Sequence, residues 1–141
     1  ATTGYSKHRR EHVSLVFQDH NLIDYLTPEE NLRLVNPKAD MKILEDLGLS
    51  REESKRNIMH LSGGQRQRVA VGRALVAPGR AILADEPTGS LDPEMTDEVI
   101  DLLRDAAHQL GKCVIVVTHS KRVADSADAV YTLRHKKLAK A

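Results

Sequence analysis

An α/β fold built on a parallel sheet is what this sequence predicts, and three observations carry that expectation. Short β-branched and apolar runs alternate with helical patterns along the chain. One of those runs, Cys113-Val114-Ile115-Val116-Val117-Thr118, is apolar almost without interruption, the pattern of a strand buried on both faces. Each apolar run also ends in polar, chemistry-bearing residues: Gln18, Asp85-Glu86 and Thr118-His119. In open α/β sheets that carboxyl end is where ligands bind. Crossovers between parallel strands are expected to be right-handed.

The elements follow in order. Val13 to Phe17 reads as the first strand, broken by the loop Gln18 to Asn21. Thr27-Pro28-Glu29-Glu30 starts a helix, with Thr27 as cap, Pro28 at the first helical position and Glu30 closing a capping box. Pro37 stops it. Ala39 to Leu47 reads as an amphipathic helix, with Met41, Leu44 and Leu47 at helical spacing and Gly48 past its end. Arg51 to Asn57 is highly charged and reads as a short surface helix. Gln65 to Val76 is strongly helical and ends at Pro78-Gly79. Arg80 to Ala84 is the second strand. Asp92 caps the next helix, and Pro93 sits in its first turn. Its inward face is expected to carry Val99, Ile100, Leu103, Ala106, Ala107 and Leu110, with Gly111 closing it. After the third strand, Lys121 to Ser126 reads as a short helix, Ala129 to Leu133 as a strand and Leu138 as the return of a hairpin. Cys113, at the start of the buried strand, reads as a small core hydrophobe.

Composition bounds the function. A chain of 141 residues is one domain by length. Lys plus Arg number 21 and Asp plus Glu 20, a net charge of +1, which argues against nucleic-acid binding by bulk charge. A single Cys excludes a disulfide framework and a Cys-rich zinc site. No apolar run approaches the roughly 18 residues of a bilayer span. The first ten residues are polar and basic, unlike a secretory signal, so a soluble cytosolic domain is expected.

Two motifs carry chemistry. An apolar strand followed by Asp85-Glu86 is the pattern that sets one carboxylate on Mg2+ and the next beside a reacting water; a pair of acids capping a loop gives the same spelling. In Leu61-Ser62-Gly63-Gly64-Gln65, two glycines admit close backbone approach, and the following helix end favours phosphate. A flexible loop ahead of a capped helix is the plainer alternative.

Taken together, these residues resemble the nucleotide-binding domain of ATP-binding cassette (ABC) transporters. Leu61 to Gln65 matches the family's signature, and Arg66 to Leu75 its continuation. Ile82 to Thr88 is similar to the Walker B strand with its catalytic glutamate, and Gly89-Ser90-Leu91-Asp92 to the D-loop. Val16-Phe17-Gln18 is similar to the Q-loop, and Val117-Thr118-His119 to the switch-histidine segment. The wording Leu-Ala-Asp-Glu-Pro-Thr-Gly-Ser-Leu-Asp looks most like the bacterial branch serving lipoprotein release and macrolide or peptide export.

The resemblance implies a RecA-like P-loop NTPase fold in truncated form: an arm over 1–12, a short helical subdomain over 19–60 and core portions over 13–18 and 61–141. It implies ATP and Mg2+ as ligands. Asp85 would hold Mg2+ through its water shell, and Gln18 would touch Mg2+ or water and report to the membrane subunit. Glu86 would be the general base, and His119 would contact the γ-phosphate. Ser62 and Gly64, within the Ser62-Gly63-Gly64-Gln65 run, would bind nucleotide held by the opposite subunit, and Asp92 would work across the dimer interface. The implied partners are a second ATP-binding subunit, identical or not, and transmembrane permease subunits at the inner face of the membrane, with no nucleic acid.

No Gly-x-x-x-x-Gly-Lys-Ser/Thr run occurs; Gly111-Lys112-Cys113 is the nearest fragment. In this family the phosphate cradle lies upstream of the Q-loop, so it is expected before residue 1, and the chain alone is expected to bind ATP weakly. The strand ending at His119 is then expected to be an unpaired edge, covered by dimerisation, by element swapping or by the tail strand. Two alternatives remain from other classes: the C-terminal ATPase lobe of a structural-maintenance-type chromosome protein, and a non-catalytic regulatory module.

Overall fold

The computed structural model describes residues 12–141. The arm expected at the start lies outside them, His12 excepted. Strands β1 (Val13–Val16), β2 (Ala81–Asp85) and β3 (Cys113–Val117) form a parallel sheet in the order β1-β2-β3. Helices α1 (Pro28–Val35), α2 (Lys42–Asp46), α3 (Gly63–Val76), α4 (Pro93–His108) and α5 (Lys121–Asp125) connect them, with two 3-10 turns at Glu53–Lys55 and Ile58–His60. Strands β4 (Tyr131–Arg134) and β5 (Lys137–Lys140) form a separate antiparallel hairpin. The α/β class and the parallel sheet agree with the sequence pattern. No helix among the described residues is long and apolar enough to cross a membrane.

Local chemistry explains where each helix starts. At α1 the Thr27 hydroxyl accepts from the Glu30 N–H at 3.2 Å, and the Glu30 carboxylate accepts from the Thr27 N–H at 2.8 Å. The second helix is shorter than its apolar spacing suggests. The Asp40 carboxylate takes the Lys42 N–H at 2.9 Å and delays the start, and Gly48 at φ 71° turns the chain out. The charged stretch after it, Arg51 to Asn57, forms one tight 3-10 turn at Glu53–Lys55 instead of a helix, and a second turn follows at Ile58–His60. Ser50 and Glu53 cap one another at 3.1 and 2.8 Å, and Asn57 takes the Met59 N–H at 2.9 Å. These side chains satisfy backbone groups locally and remove the incentive to propagate a helix. Helix α4 ends at His108, so Leu110 falls beyond it and is 66% exposed, while Val99, Ile100, Leu103 and Ala106 are buried as expected.

One core runs through the molecule. Leu32, Leu44, Leu47 and Ile58 from the helical stretch join Val69, Val71 and Ala74 of α3, Val16 and Ile82 of the sheet and Val99 of α4. Helix α3 is its axis, packing against α1, α2, α4 and β1. Gly72 makes this possible, because a Cβ there would stand 2.8 Å from Leu47 Cδ1. Buried Asn31 is fully used. Its Oδ1 accepts from the Ile23 N–H at 2.9 Å, and its amide donates to the Ile23 and Thr27 carbonyls.

The sheet corrects two expectations. Residues in register share a face, so Ser14, Ile82 and Val114 form one row and Leu15, Leu83 and Ile115 the opposite row. The first row faces the helices. On the second, Leu83 is 37%, Ile115 52% and Val117 62% exposed. Strand β3 is therefore not buried on both faces, and Cys113, in the same alternating set, is exposed rather than a core residue. The apolar run specifies a strand, but burial depends on which layers stand over it. β3 is also an edge of this sheet, as expected. The tail does not cover it, since among the described residues β4 pairs only with β5, and both are exposed throughout.

Gly79 sits where the chain leaves α3 for β2. A Cβ there would lie 2.8 Å from the His12 carbonyl carbon and 3.0 Å from the Val13 nitrogen, so backbone itself would have to move. Gly79→Ala is expected to lower stability by about 1–3 kcal/mol through this overpacking. The check is a shift of the urea midpoint at unchanged denaturant slope.

Candidate functional site

Three parallel strands in register present their carboxyl ends at one edge. Gln18 emerges after β1, Asp85 and Glu86 at the end of β2, and Thr118 and His119 after β3. Asp85 pairs in register with Val117, so the acidic pair and the histidine segment are immediate neighbours. Gln18, Asp85 and His119 are exposed, while Glu86 and Thr118 are half-buried.

Glu86 is the most constrained of these residues. Its φ of 47° lies in the left-handed region, which costs a non-glycine residue of order 1 kcal/mol. Surrounding bonds hold it there. Its N–H donates to the Val117 carbonyl at 2.9 Å. Its Oε1 accepts from the His119 N–H at 2.7 Å, and its Oε2 accepts from the Thr118 hydroxyl at 3.0 Å. Hydrogen bonds to a carboxylate are the stronger kind, which offsets the backbone strain.

The loop after β1 is shaped by α3. His20 and Asn21 have φ of 62° and 47°. The Arg73 guanidinium grips both carbonyls, that of Asn21 at 2.7 Å and that of His20 at 3.3 Å. Burial pushes the His20 imidazole below its ordinary value. Arg73, a residue to which the sequence pattern assigns no role, thus sets the exit of Gln18 from the sheet.

The Ser62-Gly63-Gly64-Gln65 run forms the amino end of α3. The Ser62 hydroxyl accepts from the Gln65 N–H at 3.1 Å, and the Gln65 side-chain Oε1 accepts from the Ser62 N–H at 2.8 Å. Gly63 is open: a Cβ there would meet nothing within 4 Å. Gly64 is packed, its Cβ position lying 3.2 Å from the Ser90 carbonyl in the segment after Glu86. Arg68 donates to the Leu47 carbonyl at 2.8 Å and the Gly48 carbonyl at 3.0 Å, fixing α3 to the end of α2. Helix α3 leads from this run back toward the start of β2, its 14 residues spanning roughly 21 Å. Asp92 caps α4, its carboxylate accepting from the Met95 N–H at 2.9 Å.

Glu53 is a further residue that motif reading passes over. The Gln65 amide donates to its Oε1 at 2.6 Å, so it orients the glutamine that closes the Ser62 cap. The signal for it is local only, the Ser50–Glu53 spacing of a capping box. Lys112, in the nearest match to a phosphate-binding lysine, lies at the opposite edge. Its Nζ donates to the carbonyls of Ala77 at 2.7 Å and Gly79 at 2.9 Å, and burial pushes it below its ordinary value.

The comparisons with known proteins come from three directions. The ABC transporter family model matches residues 2–89. The chain is 41% identical over 138 residues to the lipoprotein-releasing system ATP-binding protein LolD of Rickettsia prowazekii, covering 90% of this chain and 62% of that protein. It is 42% identical over 136 residues to the macrolide export ATP-binding/permease protein MacB of Brucella melitensis, covering 89% of this chain and 21% of that one. The dimeric post-hydrolysis structure of the ATP-binding cassette MJ0796, bound to ADP and phosphate, matches with a TM-score of 0.87 at 31% identity. That match covers 99% of this chain and 67% of the other. The chain thus spans about six-tenths of the length of LolD.

The Ser50 N–H and hydroxyl hold the Glu53 carboxyl below its ordinary value, with Gln65 and Arg68 adding to the effect. Its stabilisation is fully present above the ordinary glutamate range and is lost as pH falls through the lowered value, because the unfolded chain takes up the proton first. The difference in urea midpoint between the parent and Glu53→Gln is expected to be largest near pH 6 and to shrink toward pH 3.

Proposed function

We propose, since this chain belongs to the ABC transporter family, that it works as part of an ATP-hydrolysing subunit that drives a membrane permease. The relatives support the branch that includes lipoprotein release and macrolide export. The observation that carries the reading is the convergence of Gln18, Asp85, Glu86 and His119 at one sheet edge.

Asp85 and Gln18 stand at the ends of adjacent strands and offer hard oxygen donors. Among the described residues no group of three or more His, Cys, Asp or Glu forms a metal cage. The pair suits an ion that takes few protein ligands and completes its shell with water and phosphate oxygens. When bound, Mg2+ would neutralise charge developing on the phosphates. Glu86 acts as general base, taking a proton from the attacking water as that oxygen bonds to the γ-phosphorus and the bond to the ADP oxygen breaks. His119 contacts the γ-phosphate. Ser62 and Gly64, beside the open Gly63, face the nucleotide of a second ATP-binding subunit, and Asp92 works across that interface. Gln18, on the loop set by Arg73, reports site occupancy to the permease, which holds the complex at the cytoplasmic face of the membrane.

Without a Gly-x-x-x-x-Gly-Lys-Ser/Thr run, the 141-residue chain by itself lacks the strongest phosphate contacts. It is expected to bind ATP weakly and to turn it over at least roughly 100-fold more slowly than full-length LolD-type subunits, the cost of losing even one preorganised donor. Mixing the chain with a full-length LolD-type subunit is expected to give turnover above that of the full-length subunit alone, an increment that Ser62→Arg in the chain removes. Ordinary turnover by the chain alone would overturn the weak-binding statement. A mixture indifferent to Ser62→Arg would overturn the assignment of Ser62.

A further inference from the structure

The sequence pattern places Thr118 beside His119 but gives it no individual role, yet its hydroxyl touches the most constrained side chain of the site. It donates to Glu86 Oε2 at 3.0 Å. The direction follows from its other bond, since Oγ1 accepts from the Ser120 N–H at 2.9 Å. That leaves the hydroxyl proton for the carboxylate, which in its ionised form only accepts. The adjacent His119 N–H holds the other oxygen at 2.7 Å.

From this geometry we propose that Thr118 is the positioning residue of Glu86, a role that rests on the reading of Glu86 as general base. One donor on each oxygen fixes the plane of the carboxylate. It also leaves each oxygen an acceptor position for the proton of a water. With the His119 N–H alone, the carboxylate is held at one point, and a glutamate side chain has three torsions about which to turn away. Both donors are neighbours at the end of β3, so the orientation of Glu86 follows the backbone that carries His119. The clasp thereby couples the placement of the base to the placement of the residue assigned to the γ-phosphate. Ser120 completes the arrangement from the start of α5, where its own hydroxyl accepts from the Val123 N–H at 3.4 Å.

Thr118→Val keeps the shape and removes the hydroxyl. In the 141-residue chain, amide hydrogen exchange at His119 is expected to speed up about tenfold in Thr118→Val, with Val114 and Val116 unchanged as the control for folding. Thr118→Ser is expected to keep the parent rate. With this segment carried in a subunit of full family length, Thr118→Val is expected to lower kcat roughly tenfold to a hundredfold at a KM within about twofold. Thr118→Ser should restore kcat to within about threefold. Parent-like exchange at His119 and parent-like kcat in Thr118→Val would overturn the proposal while leaving Glu86 as base. Parent-like turnover by Glu86→Gln would instead overturn the base assignment on which it rests.

Discussion

Val16 lies beside Ala84, and Ala84 beside Val116, so three parallel strands pair with no offset and reach their carboxyl ends together. Everything at the site hangs on that register. Side chains alternate with a period of two, so a slip of one residue would turn the apolar row of Ile82 and Ala84 out of the core. A slip of two would preserve the faces but carry Glu86 roughly 6.6 Å from the Thr118 hydroxyl. Burial of one row therefore enforces the alignment that lets the end of β3 clasp the residue at the end of β2.

The elements around the sheet are held by polar contacts of a different kind. Arg73 takes two carbonyls of the loop after β1. Arg68 takes two at the end of α2. Glu53 orients Gln65, and Gln65 closes the cap of Ser62. The arginine and Glu53 contacts join segments 12 or more residues apart, and these three side chains hold the segments that carry the site without belonging to it. A loop with two successive left-handed residues would not keep one path by local preference. The guanidinium supplies that preference from outside.

Much of this is legible in the local spelling of the chain. Caps at Thr27, Ser62 and Asp92 are spelled locally, because a side chain two or three residues away satisfies the orphan backbone groups. The site residues were legible because motif order names them and strand ends collect them. Two kinds of feature do not show in the apolar pattern: local side-chain bonds that compete with a helix, and contacts set by a partner far along the chain. The helix expected from Ala39 starts late because Asp40 bonds the Lys42 N–H, two residues on. Leu110 continues an apolar helical pattern that the chain has already left. The run from Cys113 looks doubly buried, although among the described residues only one side of the sheet carries a helical layer, and alternate residues of the strand are exposed. Arg73, Glu53 and Thr118 have ordinary spelling and take on meaning only through what they touch.

The sequence by itself determined the α/β class, the helix caps, the strand identities and the residues gathered at the carboxyl edge, because each of these depends on periodicity or on neighbours within a few positions. The tertiary structure alone decided which row of the sheet is covered, that the stretch from Leu22 to Leu61 shares one core with the sheet, and that Glu86 adopts its left-handed backbone under the hold of Thr118 and His119. Those outcomes depend on layers and hydrogen bonds between residues more than thirty positions apart, and no local pattern encodes such a distance.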